Sequence, residues 1–444
     1  MNVLWIVIDS LRRDRLGCYG YPRNTSPHID RLARECVRFD QLISPHIPTQ
    51  PAHTTLFSGR DVFDHQIVAQ GGHRELDPRI RLLPDLLRER GYFTAAVDNI
   101  ERWIEPAFDR YEKYPRWSHE GTIPWRNGEE VTARALDILN EASGREQPFF
   151  LFLHYWDPHT PYLPPPPFGR MFYGGDEKDP AHMGMDPVWA SPWFANYFRE
   201  WLEGVRDIEF VKAQYDAAIA YGDACLAGLF NRLGELSLWD DTLLLLHSDH
   251  GEELDDHGCW FDHHGLYDTN VRVPLLLRFP DQARAGEVVR PMVALPDLAP
   301  TVLDVLRMPE LAAGMRGQSL LPLLESGAGA GNETVTSGVR DAVYLTECTW
   351  MRKRGWRTPE WKLIEALEPD IYGKPPLELY SLADDPAERV NLAEGRPEVV
   401  AALQAERDRH VRSRLAESGG PDPLIDQADA LRIWQPRFIA GRRG

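Results

Sequence analysis

Three short segments, far apart in the chain, carry residues that could hold a divalent cation beside a hydroxyl if the fold brought them together. Val7-Ile8-Asp9 lies at the start, Ser248-Asp249-His250-Gly251 past the middle, and Thr49-Gln50-Pro51-Ala52-His53 between them. Asp9, Asp249 and His250 offer two hard oxygen ligands and an imidazole, a donor set suited to Ca²⁺, Mn²⁺, Mg²⁺ or Zn²⁺. Thr49 would complete that shell. A threonine hydroxyl is a poor nucleophile at neutral pH, and coordination to a cation lowers its pKa while the same charge neutralises an anionic substrate. Taken singly, each residue has an ordinary reading: Asp9 caps a turn, Thr49 caps a helix, and Asp249 pairs with a basic side chain. The chemistry therefore depends on the elements that carry them.

Asn2–Ile8, Phe93–Val97, Phe149–Leu153 and Thr242–His247 are short, continuously apolar or β-branched runs, as expected of strands buried on both faces of a parallel sheet. Helical patterns lie between them. Ser26–Cys36 places Ile29, Leu32, Ala33 and Cys36 on one face, Leu82, Leu83, Leu86 and Leu87 do the same before Gly91, and Tyr215–Leu233 repeats the pattern over several turns. The alternation predicts an α/β fold, a mostly parallel sheet sandwiched by helices. Ligands of such sheets sit beyond the carboxyl ends of the strands, and there the four runs are followed by Asp9, by Asn99, by His154 and His159, and by Asp249 with His250.

The predicted catalytic domain spans about 1–335, with a lid-like insertion at 162–207 that is rich in Pro, Gly and aromatic residues. A linker is expected at Glu325–Gly338, where small residues lack apolar periodicity. Beyond it, Ala342–Leu345, Trp361–Glu365 and Leu377–Tyr380 read as strands and Pro397 to Leu415 as a helix, which predicts a smaller α+β unit over 340–444. The tail Asp422–Gly444, with Trp434 and Phe438, suits either docking on a second copy of the chain or packing on its own.

At 444 residues and 43% hydrophobic the chain can bury a large core, and its net charge of −19 argues against wrapping around nucleic acid. No apolar run reaches membrane-spanning length. Five scattered cysteines without C-x-x-C spacing, and an amino terminus without a secretory pattern, lead to the expectation of a cytoplasmic protein.

Several blocks resemble, in order, those of the sulfatase family within the alkaline phosphatase superfamily. They are Val7-Ile8-Asp9-Ser10-Leu11-Arg12-Arg13-Asp14, Thr25-Ser26-Pro27-His28-Ile29-Asp30-Arg31-Leu32-Ala33, Ser248-Asp249-His250-Gly251-Glu252 and Leu266-Tyr267-Asp268-x-x-Val271-Arg272-Val273-Pro274. Glu378-Leu379-Tyr380-Ser381-Leu382-x-x-Asp385-Pro386-x-Glu388-x-x-Asn391-Leu392 looks like the carboxy-terminal signature of the same family. The resemblance implies an alkaline phosphatase-like core, metal binding by Asp9, Asp249 and His250, and Thr49 in the nucleophile position. It puts His159 near the leaving group, and His263 where the family usually has a lysine on the transferring group. His264 flanks the site, and His257 belongs to its surroundings.

The departures are informative too. Sulfatases carry Cys or Ser in C/S-x-P-x-R, converted to formylglycine, whereas this segment reads Thr49-x-Pro51-x-His53, and threonine is not such a precursor. Without the aldehyde, an esterified Thr49 must be cleared by water attacking the transferred group, which phosphorus accepts with metal support. T-x-P-x-H also resembles the nucleophile block of phosphodiesterases and phosphonate hydrolases. Val97-Asp98-Asn99-Ile100-Glu101 stands where sulfatases commonly have Gly-Lys-x-His, so Asn99 would be an uncharged hydrogen-bond donor to the anion, or else a loop residue satisfying its own turn. His53 would orient the Thr49 backbone, contact its hydroxyl, or merely cap the helix. Ser10 replaces the second acid of the usual Asp-Asp pair, which weakens the case for Ca²⁺ relative to Mn²⁺ or Zn²⁺. The spacing of Asp157, His159, His263 and His264 departs from the two-metal D-x-x-x-H pattern, so one cation is expected.

The resulting expectation is a metal-dependent hydrolase of phosphate or phosphonate esters, acting on a small anionic ester through a covalent Thr49 intermediate and needing no formylglycine. The alternative is a sulfatase using unmodified threonine. A third reading, from a different class, is a catalytically silent fold that binds anions or partners.

Overall fold

Strand β1 (Asn2–Ile8) sends Leu4, Ile6 and Ile8 to one side of a sheet and Val3, Trp5 and Val7 to the other, and both sets are buried in separate apolar clusters. A strand buried on both faces must be covered by helices on both faces. The computed structural model describes residues 1–114, 127–325 and 340–428 and shows that arrangement. One layer includes the helices Asn127–Ser143 and Ile208–Glu235, and the other includes Thr49–Ser58 and Leu298–Val305.

In addition to β1, the large sheet contains β2 (Val37–Ile43), β4 (Phe93–Val97), β5 (Arg110–Glu112), β6 (Phe149–Tyr155), β7 (Thr242–His247), β10 (Arg272–Arg278), β11 (Val288–Val289) and β12 (Val293–Ala294). Their order is β11-β2-β10-β7-β1-β6-β4-β5, with β12 also beside β2. Every pairing is parallel except the two made by β10. Fold class therefore agrees with expectation. In register, Val7 of β1 lies beside His154 on one flank and His247 on the other, so Asp9, Tyr155 and Ser248 emerge together at one edge.

A second, five-stranded sheet has the order β16 (Leu377–Ser381), β15 (Trp361–Ala366), β14 (Arg352–Arg357), β13 (Val343–Cys348) and β3 (His46–Ile47). Its last strand comes from the amino-terminal half: His46 and Ile47 pair in parallel with Thr346 and Glu347, directly before Thr49. The helix Pro397–Ser418 contributes Val400, Leu403 and Val411 to the apolar cluster behind this sheet. The expected linker falls almost wholly on residues outside the described ones, as do Trp434 and Phe438 of the tail. A short ribbon, β8 (Glu253–Leu254) with β9 (Trp260–Asp262), follows β7. No helix among the described residues is long and apolar enough to cross a membrane.

The aromatic stretch after Tyr162 folds into the helices Asp186–Ala190 and Pro192–Leu202, with Phe194, Phe198 and Leu202 in the core. Phe194 stacks on Tyr372 at 4.7 Å and on Trp350 at 6.2 Å, so this segment forms a packed wall between the two sheets.

Candidate functional site

Asp9 leaves the end of β1, and its backbone N–H donates to Tyr155 O at 2.8 Å across the parallel pair. Ser248 ties the two neighbouring loops together: its hydroxyl bonds to Ile8 O at 2.6 Å and accepts from Leu11 N at 2.9 Å. Gly251 then turns the chain under Asn270, donating to Asn270 O at 2.7 Å; a Cβ there would sit 1.9 Å from Thr269 O. These contacts fix the Asp9 and Asp249-His250 loops side by side.

The outcome is one fully buried cluster. The ligand atoms of Asp9, Asp249 and His250 lie within 4.8 Å of one another. His250 Nε2 is 3.5 Å from Asp9 Oδ1, 3.4 Å from Asp249 Oδ2 and 3.2 Å from Thr49 Oγ1. Thr49 opens the helix Thr49–Ser58, whose first-turn backbone N–H groups favour negative charge. Ser10 has φ of 58°, a left-handed conformation uncommon for a side-chain-bearing residue, and its hydroxyl lies 3.2 Å from Asp9 Oδ1 and 3.4 Å from His250 Nδ1.

Burial sets the charges. Burial, and then the neighbouring His263, depress His250 to about 3, and burial with His154 depresses His53 to about 4, so both imidazoles are neutral. Burial, and then Asp9, push the Asp249 carboxyl up to about 6. Burial also opposes ionisation of Asp9, but His159 and the hydrogen-bonded His154 hold it below the usual carboxylate range. Among the described residues Asp249 Oδ2 has no hydrogen-bond partner. A buried carboxylate oxygen facing neutral imidazoles lacks the compensation that buried charge requires. Two carboxylates, a neutral imidazole and a hydroxyl therefore fit a divalent cation.

The other expected residues are distributed around this cluster. His53 Nδ1 lies 3.0 Å from Thr49 O and 3.8 Å from Asp249 Oδ2, which supports the backbone-orienting reading. His159 and His263 face each other with ring centroids 5.4 Å apart, and their rings lie 6.3 Å and 4.2 Å from that of His250. Asn99 is buried just past β4. His264 is fully buried with Nδ1 2.6 Å from the Tyr372 hydroxyl, Nε2 3.9 Å from Asp262 and its ring 6.2 Å from that of His263, so it flanks the cluster. His257 stacks on Tyr267 at 3.9 Å and lies 2.8 Å from Glu253, a structural position.

Sequence reasoning missed the buried chain Tyr111–Asp98–His154–Asp9. Tyr111 donates to Asp98 Oδ2 at 2.5 Å, and His154 lies 2.7 Å from Asp98 Oδ1 and 3.2 Å from Asp9 Oδ2. The available signal was position, since Asp98 directly follows the run Phe93–Val97 and His154 lies inside a run otherwise apolar. Glu252 and Asp262 were also passed over and lie next to His263 in a second group of cation-type donors.

Comparison with known proteins agrees with this architecture. The family model described as Sulfatase matches residues 1–308, and that described as N-sulphoglucosamine sulphohydrolase, C-terminal, matches residues 255–413. The chain is 24% identical over 472 residues to an N-acetylglucosamine-6-O-sulfatase of Bacteroides thetaiotaomicron, covering 88% of this chain and 82% of that one. It is 28% identical over 451 residues to arylsulfatase K of Gallus gallus, covering 90% and 81%. Its fold is similar to that of a phosphonate monoester hydrolase of Agrobacterium radiobacter, with a TM-score of 0.71 at 23% identity over 94% of this chain and 96% of the other. With a family model spanning more than half of its length and the ordered blocks seated on one buried cluster, this chain belongs to the sulfatase family of the alkaline phosphatase superfamily.

Proposed function

We propose that this chain hydrolyses a small sulfate ester with the assistance of a divalent cation, using the unmodified hydroxyl of Thr49 as the attacking group. The carrying observation is the placement of Thr49 Oγ1 3.2 Å from His250 within the buried group that contains Asp9 and Asp249. The relatives' names favour a sulfuric over a phosphoric ester, because they are for the most part sulfatases.

Asp9, Asp249, His250 and Thr49 would hold the cation, with Mn²⁺ and Zn²⁺ matching this mixed donor set best. When bound, the cation supplies Lewis acidity toward the Thr49 oxygen and the ester oxygens. The residues themselves do the rest. His53 holds the first turn of the Thr49 helix through Thr49 O, which fixes the direction of the hydroxyl. Thr49 gives its proton to solvent as its Oγ bonds to sulfur and the bond from sulfur to the leaving alcohol breaks. His159, packed against Trp156 with ring centroids 4.3 Å apart, delivers the proton that the alcohol carries away. Water then attacks sulfur of the threonine ester, one of its protons restoring the Thr49 hydroxyl and the other returning to His159 as sulfate is released.

A phosphate or phosphonate ester is the second reading, favoured by the neutral His53 and the threonine in place of the Cys/Ser and Arg of C/S-x-P-x-R. Purified chain supplied with Mn²⁺ or Zn²⁺ is to be assayed for kcat/KM on matched aryl sulfate, phosphate monoester, phosphodiester and phosphonate monoester substrates. The sulfate ester should be cleaved most efficiently. A preference for either phosphorus class transfers the assignment to the second reading, and no metal-dependent turnover on any of them leaves a binding protein.

A further inference from the structure

Beside the first cluster is another that the proposed reaction does not use. The ligand atoms of Glu252, Asp262 and His263 lie within 4.8 Å of one another, and all three residues are at least nine-tenths buried. The fold enforces their meeting: the ribbon of β8 and β9 pairs Glu253 with Asp262, laying Asp262 against the chain that has just left His250 and Gly251.

The polar atoms of this group are left open. Neither carboxylate oxygen of Glu252 and neither ring nitrogen of His263 has a hydrogen-bond partner among the described residues. His263 Nδ1 is 2.8 Å from Asp262 Oδ1 but without hydrogen-bond alignment. Ser10, near enough to ease the Glu252 carboxyl, is directed to Asp9 Oδ1 at 3.2 Å. Two carboxylates buried side by side repel; Asp262 Oδ1 accepts from His263 N at 2.8 Å, whereas Glu252 is left unmet, and a buried charge without a partner costs several kcal/mol.

We propose that Glu252, Asp262 and His263 bind a second divalent cation, of the Mn²⁺ or Zn²⁺ type, next to the ion of Asp9, Asp249 and His250. Two carboxylates and one imidazole match the preferences of those ions, which would relieve the repulsion and satisfy the open atoms together. The sites are contiguous, since the His263 and His250 rings are 4.2 Å apart and Ser10 borders both. Hydrolases with paired cations hold them about 3.5–4 Å apart across the transferred group. His263 then becomes a ligand, leaving His159 as the imidazole that serves the leaving alcohol. The proposal goes beyond the reaction above and holds for a sulfuric or a phosphoric ester alike.

The test counts ions. Full-length chain stripped with a chelator is titrated with Mn²⁺ alone, desalted, analysed for bound metal and examined by electron paramagnetic resonance. The wild type should hold two ions per chain with an exchange-coupled spectrum. Glu252→Gln and Asp262→Asn should each hold one ion with an isolated-ion spectrum. Asp249→Asn should keep the second ion, so failure of the first site is distinguishable from failure of the second. One ion in the wild type, with the same number in Glu252→Gln, overturns the proposal and leaves a proton shared by Glu252 and Asp262. If circular dichroism shows that Glu252→Gln does not fold, Glu252→Asp takes its place: it keeps a ligand oxygen and should bind the second ion more weakly, whereas unchanged binding overturns the assignment.

Discussion

Buried charge is handled in different ways in two regions of this molecule. Around the second sheet most acids lie against a full positive charge: Asp268 pairs with Arg357 at 2.9 Å and with Lys362 at 2.6 Å, Glu388 with Lys362 at 2.8 Å, and Asp370 with Lys353 at 2.5 Å, while Glu347, pushed up to about 8 by burial, is the exception. At the edge of the large sheet Asp249 faces the neutral imidazoles of His53 and His250, and Glu252 faces another carboxylate. The first arrangement sets cations against acids within the protein itself. The second has fewer such partners, as the proposed cation binding would require.

The sharpest way to break the comparison is to remove the reactive group and leave the charges. Thr49→Ala should lower kcat by at least about 10³-fold, the scale seen when a covalent nucleophile is lost, with little change in thermal stability. Near-normal turnover would refute the role of Thr49. Next in size is the reverse experiment in the complete network. Lys362→Met strands Glu388 and weakens the hold on Asp268, so denaturant unfolding should report a loss of about 3–5 kcal/mol, while kcat of the folded fraction stays near wild type. A loss under about 1 kcal/mol would show that this network is no better paired than an exposed one.

The smallest effect is a slope. His154 is the exception in the first cluster, since burial opposes its charge yet hydrogen bonds to Asp9 and Asp98 raise it to about 10. A group whose pKa is raised on folding stabilises fully below its unfolded value of 6.5 and loses that contribution as pH climbs through about 10. Melting temperatures of the chelator-treated chain should therefore fall between those limits by an amount that His154→Gln largely abolishes. An unchanged slope in the variant would assign it to another group.

How much of this was legible follows from the kind of signal each part leaves. Asn2–Ile8, Phe93–Val97 and Thr242–His247 match their observed bounds because a strand covered on both faces must be apolar at every position. The observed strand β2, VRFDQLI, mixes charge into its run, and β14, RKRGWR, is mostly basic, so neither carries that signature. In β14 the buried Lys353 and Arg357 are explained by acids on other segments, Asp370 and Asp268 nearest among them. The carboxy-terminal block was recognisable, but its role as the acid side of this network, through Glu378 and Glu388, was not. At the site, Asp9, Asp249 and His250 were recognisable because each ends or follows a strand, whereas the pairing of His154 with Asp98 depends on which strands are neighbours, and spacing does not encode it.

The parallel pairing of His46 and Ile47 with Thr346 and Glu347, reinforced by Thr346 N bonding to Pro45 O at 2.8 Å, has a temporal meaning. The segment that leads into Thr49 gains its backbone partner only once a strand 300 residues later in the chain has been made. A truncated nascent chain could already contain Asp9, Asp249 and His250, yet Thr49 would still lack the strand that steadies its approach.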